Sequence, residues 1–377
     1  MKKMFVFALV TLCILVFSLS VFAADPIKIG IYEPMTGAMA AGGQQTMEGI
    51  NLAYEVRKEA IGRPIEIVLV DNKSEKVEAA NAMARLIDKE KVVAVIGSYG
   101  SSLSMAGGPL AMKAKIPVMG CSPTNPLVTK DNPFYFRACF IDPFQGEVMA
   151  RYAFKDLKAK TAAIVQDVAQ DYSVGLASFF KNAFIKLTGD PKSIVAEVSF
   201  QSGDSDFTAQ LTNVIAKNPD VIFMPSYYQD MAQFAIQAKQ LGVKATLLGG
   251  DALEAPELIS VGGDAVEGVK FSTHYSAEAA EREISKKFAA AYQKKYNKIP
   301  NAFAALGFDA YNLLVDAIET AKSADPVVIR DTLVKFKNHE AVTGIITFDA
   351  NNNPIKSAVI LGVEGGKFKY LTTVNPE

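Results

Sequence analysis

Three short stretches of the 377-residue chain carry polar groups spaced as a binding site needs them. In "VVAVIGSYGSSLSMAGGP" (92–109) an apolar run ends at Tyr99 and then at Ser101, Ser102 and Ser104. In "GCSPTNP" (120–126) Ser122 and Thr124 follow a glycine, and in "GGDALEAPEL" (249–258) Asp251 follows two. A hydroxyl where a loop enters a helix caps the helix and also donates to an anion, because the first N–H groups are unpaired and partly positive. Phosphate is a poor match: these loops hold no basic residue, and neither G-x-x-x-x-G-K-[ST] nor G-x-G-x-x-G occurs in them. A carboxylate, with one charge and two oxygens, fits better. Asp251 offers what an ammonium needs, since a buried cation without a partner costs several kcal/mol. Taken singly each loop reads as a helix cap, and Asp251 as an acidic cap; together they describe the two charges of an amino acid.

Aromatic residues supply walls. Tyr99 lies inside the first loop, Tyr172 follows "VQDVAQD", and Tyr227 and Tyr228 close the run "VIFMPS". Tyrosines at strand ends often serve packing alone, but four at the same end present ring faces to an apolar side chain and hydroxyls to polar edges.

The elements that must position these residues are legible as a pattern. Runs that are almost continuously apolar occur at 27–32, 64–70, 92–97, 116–120, 161–166, 221–226 and 245–250, as expected of strands covered on both faces. Amphipathic stretches separate them; in "ALGFDAYNLLVDAIETAK" residues Leu306, Ala310, Leu313, Leu314, Ala317 and Ile318 share one helical face. Alternating strand and helix predicts an α/β chain with parallel sheets, one per domain. In such sheets ligands sit beyond the carboxyl ends of the strands, where all three polar loops fall. The segments "FRACFIDPFQGE" (136–147) and "KFSTHYSAEA" (270–279) break the alternation and read as extended crossings between two interwoven lobes.

Composition narrows the class. Lys2 and Lys3, an uncharged run to Val21 and the small residues of Val21-Phe22-Ala23 read as an export signal cleaved after Ala23. The rival reading is a retained anchor, and Leu12 before Cys13 argues against a lipidation site. Without residues 1–23 the chain has 37 basic against 40 acidic side chains, a net charge of −3, and no nucleic-acid footprint. Cys121 and Cys139 then remain, and pairing or burial as free thiols are both open. Two histidines, His274 and His339, with no H-E-x-x-H, C-x-x-C or G-x-S-x-G, leave a metal site or a Ser-His-Asp triad without its parts. No enzyme activity, metal or cofactor is expected, and His274 reads as a hinge or surface residue.

In the order and spacing of "IKIGIYEPMTGAMAAGGQQTMEGINLA", "VIGSYGSSLSMA", "SPTNPLVT", "FRACFIDPFQG", "DYSVGLA", "LLGGD" and "TGIITFDANNNPIKSAVI" the chain resembles periplasmic binding proteins of the branched-chain amino acid (leucine/isoleucine/valine) ABC transporter family. The resemblance implies a type I periplasmic binding protein fold with three hinge crossings, near residues 142, 275 and 350. Lobe 1 would comprise residues 24–142 and 276–349, and lobe 2 residues 143–275 and 350–377. It implies that Ser101 and Thr124 hold the ligand carboxylate; Ser102, from the loop reading, is a further candidate. The ammonium would meet the Ser122 carbonyl and Asp251, and Tyr172, Tyr227 and Phe303 would form walls. Two positions depart from the family: an aromatic wall falls on Gly42 and an aliphatic one on Tyr99, so aromatic volume has moved across the pocket. The implied function is that of a monomeric, extracytoplasmic receptor that delivers an amino acid to a membrane permease. A sensor using the same clamp with a separate partner, or a binder of a small carboxylate or amide, is the alternative.

Overall fold

The computed structural model describes residues 25–376. The leader expected at 1–23 lies outside the described residues, among which no helix is long and apolar enough to cross a membrane.

The predicted apolar runs form two sheets. The first contains β1 (Ile27–Ile31), β2 (Glu59–Ala60), β3 (Arg63–Leu69), β4 (Ala94–Ile96), β5 (Val118–Gly120) and β6 (Tyr135–Arg137), in the order β2-β3-β1-β4-β5-β6. Helices α1 (Ala40–Val56), α2 (Lys76–Asp88) and α3 (Ser101–Ala114) connect its strands. Strands β4 and β5 are buried along their whole length, which is why they read as unbroken apolar runs rather than alternating ones.

After β6 the chain enters α4 (Asp142–Arg151) and the second sheet: β7 (Ala162–Asp167), β8 (Ile194–Phe200), β9 (Val221–Phe223), β10 (Thr246–Gly249) and β11 (Lys270–Thr273). Helices α5 (Asp171–Thr188), α6 (Thr208–Ile215), α7 (Tyr228–Gln240) and α8 (Pro256–Gly262) link these strands. The chain then leaves this sheet for α9 (Glu283–Tyr296), α10 (Ala302–Ala321), α11 (Pro326–Leu333) and a hairpin of β12 (His339–Ala341) and β13 (Gly344–Ile346). It returns with β14 (Ala358–Glu364) and β15 (Lys367–Val374), giving the order β15-β14-β11-β10-β9-β7-β8.

The sheets are mostly parallel rather than wholly so, as the sequence pattern had implied. β14 runs antiparallel to β11, and β15 to β14. For β15 the reason is local: β14 and β15 are joined through Gly365 and Gly366 at φ 60° and 67°, the paired positive values of a tight hairpin turn, which can only connect antiparallel strands. β2 is antiparallel to β3 for the same kind of reason.

The return of α10 to the first sheet is a matter of packing. Its face of Leu306, Ala310, Leu313, Leu314, Ala317 and Ile318 is buried in one cluster with Ile27, Ile29 and Ile31 of β1 and Ile50 of α1. Burying each large aliphatic side chain contributes about 1.5–3 kcal/mol. The two helices also meet backbone to backbone: a Cβ on Gly49 would lie 1.8 Å from the Ala304 carbonyl oxygen, and one on Gly307 2.2 Å from that of Thr46. Asn301 starts α10 by accepting the Ala304 N–H at 2.9 Å.

Candidate ligand-binding site

Loops from the carboxyl ends of both sheets converge on one cavity. The loop after β4 brings Tyr99, Gly100 and Ser101, the loop after β5 brings Ser122, and from the second sheet come Tyr172 after β7, Tyr227 after β9, and Asp251 and Ala252 after β10. In this conformation they close on a space of only about 10 Å³, so an amino acid is admitted only if these loops move apart. Wider grooves of about 360, 600 and 400 Å³ lie elsewhere on the surface. The polar atoms decide between them: the hydroxyls of Tyr99, Ser122, Tyr172 and Tyr227 are buried without a hydrogen-bond partner, and no residue lining the three wider grooves has such an atom. Buried polar groups are ordinarily paired, so a cluster of unpaired ones marks a place for a polar guest.

Backbone geometry makes the approach possible. Gly100 precedes α3 at φ 89°, and a Cβ there would stand 3.1 Å from the Tyr227 hydroxyl, so glycine serves both the left-handed turn and the close contact. The Tyr99 ring packs edge-on against Phe303 of α10 at 4.9 Å and lies 5.9 Å from the Tyr227 ring. Tyr172 is 5.8 Å from Tyr227. Burial pushes the phenols of Tyr99, Tyr172 and Tyr227 well above the usual tyrosine range, with nearby acidic groups adding to the shift, so they remain neutral donors.

The side on which a ligand carboxylate was expected is built by α3 and the loop after β5. Ser101 begins α3 and its hydroxyl accepts the Asn125 N–H at 3.1 Å, which ties the two loops together. The Thr124 hydroxyl is buried without a partner. Ser102 goes elsewhere: it donates to the Asp171 carboxylate at 2.8 Å and accepts the Asp171 N–H at 3.0 Å, bridging α3 to the start of α5 rather than lining the cavity. Ser104 bonds the backbone of Ser98, and the Tyr228 hydroxyl crosses to the carbonyl of Ala38 at 3.0 Å. Phe303 supports the Tyr99 ring from behind.

Asp251 is buried, and both its oxygens are engaged. Oδ1 accepts from Gln145 Nε2 at 2.8 Å and Oδ2 meets His274 Nε2 at 3.0 Å. His274 is therefore no surface residue: at the end of β11 it is 2% exposed, its ring centroid 3.9 Å from that of Phe140. A buried Asp–His pair invites comparison with a catalytic triad, but His274 Nδ1 has no partner and so no nucleophile sits on it. Among the described residues no cluster could hold a metal ion.

Several site-building residues were not foreseen. Arg137 is wholly buried and donates to the carbonyls of Pro123 at 2.5 Å and Asn125 at 3.0 Å and to the Thr129 hydroxyl at 2.9 Å, shaping the loop that carries Thr124. Its signal was a lone arginine inside the apolar "YFRACF". Asp142 at the start of α4 donates its N–H to the Thr124 carbonyl at 2.9 Å. Its carboxyl makes no hydrogen bond of ordinary geometry. Burial raises its pKa well above the carboxylate range and the Asp251 charge adds to this, while the Thr124 hydroxyl and Arg137 oppose it. Cys121 and Cys139 are free buried thiols. Lys356 reaches back from the segment before β14 to the Ala138 carbonyl at 2.9 Å.

The periplasmic binding protein family model matches residues 26–367. The chain belongs to the periplasmic binding protein family. Among solved members of the fold, a leucine-binding protein, LivK, from Thermotoga maritima is 46% identical with a TM-score of 0.90, the match covering 93% of this chain and 99% of that one. The branched-chain amino acid transporter substrate-binding protein LivJ from Streptococcus pneumoniae, in complex with isoleucine, is 33% identical with a TM-score of 0.87, over 93% and 100% of the two chains. The Leu/Ile/Val-binding protein BraC3 of Rhizobium johnstonii is 29% identical over 327 residues, 85% of this chain and 87% of that protein.

Proposed function

We propose that this chain is the extracytoplasmic receptor of an ABC importer, and that it captures a branched-chain or other apolar amino acid by closing two lobes around it and presents the closed form to a membrane permease. Family membership and the named relatives support the amino-acid cargo and the extracytoplasmic location. The observation that carries the reading is the set of unpaired buried hydroxyls opposite Asp251 in a cavity walled by tyrosine rings.

In this reading residues 24–142 with 276–349 form lobe 1 and residues 143–275 with 350–377 form lobe 2, consistent with the sheet each strand joins. Residues 1–23 are the export signal. Ser101 and Thr124 of lobe 1, with the N-terminus of α3, hold the ligand carboxylate. The Ser122 carbonyl and Asp251 of lobe 2 hold the ammonium, and Tyr99, Tyr172 and Tyr227 enclose the side chain. A ligand that touches both lobes favours the closed form by its differential affinity for that form. Helix-terminus contacts contribute about 1 kcal/mol each, and each buried methylene about 0.8 kcal/mol, so affinity is the sum of modest terms. No bond of the ligand changes.

Calorimetric titration with leucine, isoleucine and valine, and with the same carbon skeletons lacking the amine, tests this. The amino acids should bind and be recovered unaltered. Preference for the amine-free acids would reject the role given to Asp251.

A further inference from the structure

The two supports of Asp251 come from the crossings between the sheets. Gln145 lies one turn into α4, just after the first crossing, and its Nε2 is itself fixed by the Ser272 hydroxyl at 3.0 Å. His274 directly follows β11 and opens the second crossing, where its ring packs on Phe140 of the first. A carboxylate has about four lone-pair sites; Gln145 and His274 occupy two. Asp251 also lines the cavity, so the lone pairs left over are available to a guest. An ionised Asp251 accepts only, which places a proton on His274 Nε2 and leaves the buried, partnerless Nδ1 bare. The ring is then neutral and the pair carries one negative charge.

We propose that His274 is a positioning residue that holds the Asp251 carboxylate toward the ligand, and that a second proton on its ring competes with the ligand ammonium for that carboxylate. The inference rests on Asp251 meeting the ammonium, as proposed above. The groups around it favour a neutral ring in the unprotonated state. Burial lowers the His274 pKa, the Asp251 hydrogen bond and charge oppose this, and Lys356 from the third crossing lowers it further. The other acids that feel Asp251 are Asp142, Glu254, Cys139 and the phenols of Tyr99, Tyr172 and Tyr227, each pushed toward its neutral form by burial. Protonation of Nδ1 would turn the pair into an internally compensated imidazolium–carboxylate. Nothing would then be left to attract an ammonium. Were the Asp–His pair merely structural, its loss would lower stability and leave affinity and its pH profile alone.

Isoleucine is titrated calorimetrically at about pH 7.5 and about pH 5.5 into the wild type, His274→Gln, His274→Leu and Asp251→Asn. Glutamine can place an amide N–H where Nε2 stands and cannot titrate. It should bind within about threefold of wild type at the higher pH, while His274→Leu should be weaker by about tenfold or more, the loss of a hydrogen bond to a charged group. Acidification should weaken the wild type more than His274→Gln, the difference growing as the pH is lowered further. Wild-type affinity in His274→Leu, or one shared pH profile for wild type and His274→Gln, would overturn the inference. If Asp251→Asn weakens binding while His274→Leu does not, only this inference falls; if Asp251→Asn binds normally, the ammonium assignment falls and this inference with it. Should the His274 variants not fold, ring resonances of the wild type, told apart from those of His339 with His339→Gln, serve instead. Isoleucine should lower the His274 titration midpoint, and an unmoved midpoint would overturn the proposal.

Discussion

A Cβ placed on Gly42 would lie 2.3 Å from both Cε2 and Cζ of Tyr99: the tyrosine ring fills the space that a side chain on α1 would otherwise occupy. The resemblance placed an aromatic wall at Gly42 and an aliphatic one at Tyr99; here the Tyr99 ring itself occupies the Gly42 position. Tyr99 brings a hydroxyl to the cavity, which an aliphatic wall would lack.

Gly42→Ala should accordingly overpack the site, costing about 1–3 kcal/mol in stability and weakening isoleucine binding. Combined with Tyr99→Leu, much of that penalty should disappear, with a coupling of about 1 kcal/mol or more. Thermal unfolding and calorimetry of the four proteins in the cycle measure it. Additive effects would show that the ring and the glycine do not share the space.

Several contacts between the loops of the two sheets meet at Asp171. Its carboxylate takes the Ser102 hydroxyl at 2.8 Å and Lys76 Nζ at 3.3 Å, and its carbonyl takes Asn125 Nδ2 at 2.7 Å. The lysine pair is half-exposed and contributes little; a net hydrogen bond is worth about 1 kcal/mol. Asp171→Ala should populate the open form and weaken apparent affinity about fivefold, with a larger ligand-free radius of gyration by X-ray scattering. Adding Ser102→Ala to that variant should change affinity little further. A full additional loss would place Ser102 on the ligand instead.

What could be read from the chain depended on the range of the interaction. Strands such as β4 and β5 announce themselves because burial on both faces leaves only apolar residues. β8 does not, since only Phe200 among its residues is fully buried; β6 and β11, three and four residues long, were submerged in segments that read as crossings. That Ser101, Ser122 and Asp251 meet at one cavity was legible because loops at strand carboxyl ends converge there. Gln145 and His274 were not: Gln145 meets Asp251 across 106 residues of sequence, and nothing local in either residue marks that partnership. Ser102 was expected near the ligand, and its hydroxyl is bonded to Asp171 in this structure, since a hydroxyl at a helix start fits either role.

Glu33 should leave a signature in stability. It is wholly buried; Oε2 accepts the Tyr99 N–H at 2.7 Å, and Oε1 has no partner. Burial raises its pKa from 4.5 to about 8, the Tyr99 N–H pulling the other way. The folded chain keeps a proton that the unfolded chain has released. This stability is fully present below pH 4.5 and is lost as the pH rises through about 8. Glu33→Gln retains an acceptor for the N–H and removes the titration. Its Tm should exceed that of the wild type at about pH 8.5 and approach it at about pH 4.5. Parallel Tm profiles would show that Glu33 does not titrate in this way.

The cysteines should be silent until the chain unfolds. Cys121 and Cys139 are buried and free, and burial pushes the Cys139 thiol up to about 12, with Arg137 opposing. Since the thiolate is the reactive form, an aromatic disulfide reagent should label neither in the folded protein and both in denaturant. Rapid labelling under native conditions would reveal an opening that exposes the crossing beside Cys139.

The most direct measurement is a crystal structure of the protein grown with isoleucine. The account predicts an ammonium within hydrogen-bonding distance of the Asp251 carboxylate and the Ser122 carbonyl, and a carboxylate on Ser101 and Thr124, with His274 still seated on Asp251. An amino acid bound with its charges reversed, or lying outside the cavity between Tyr99 and Tyr227, would contradict it.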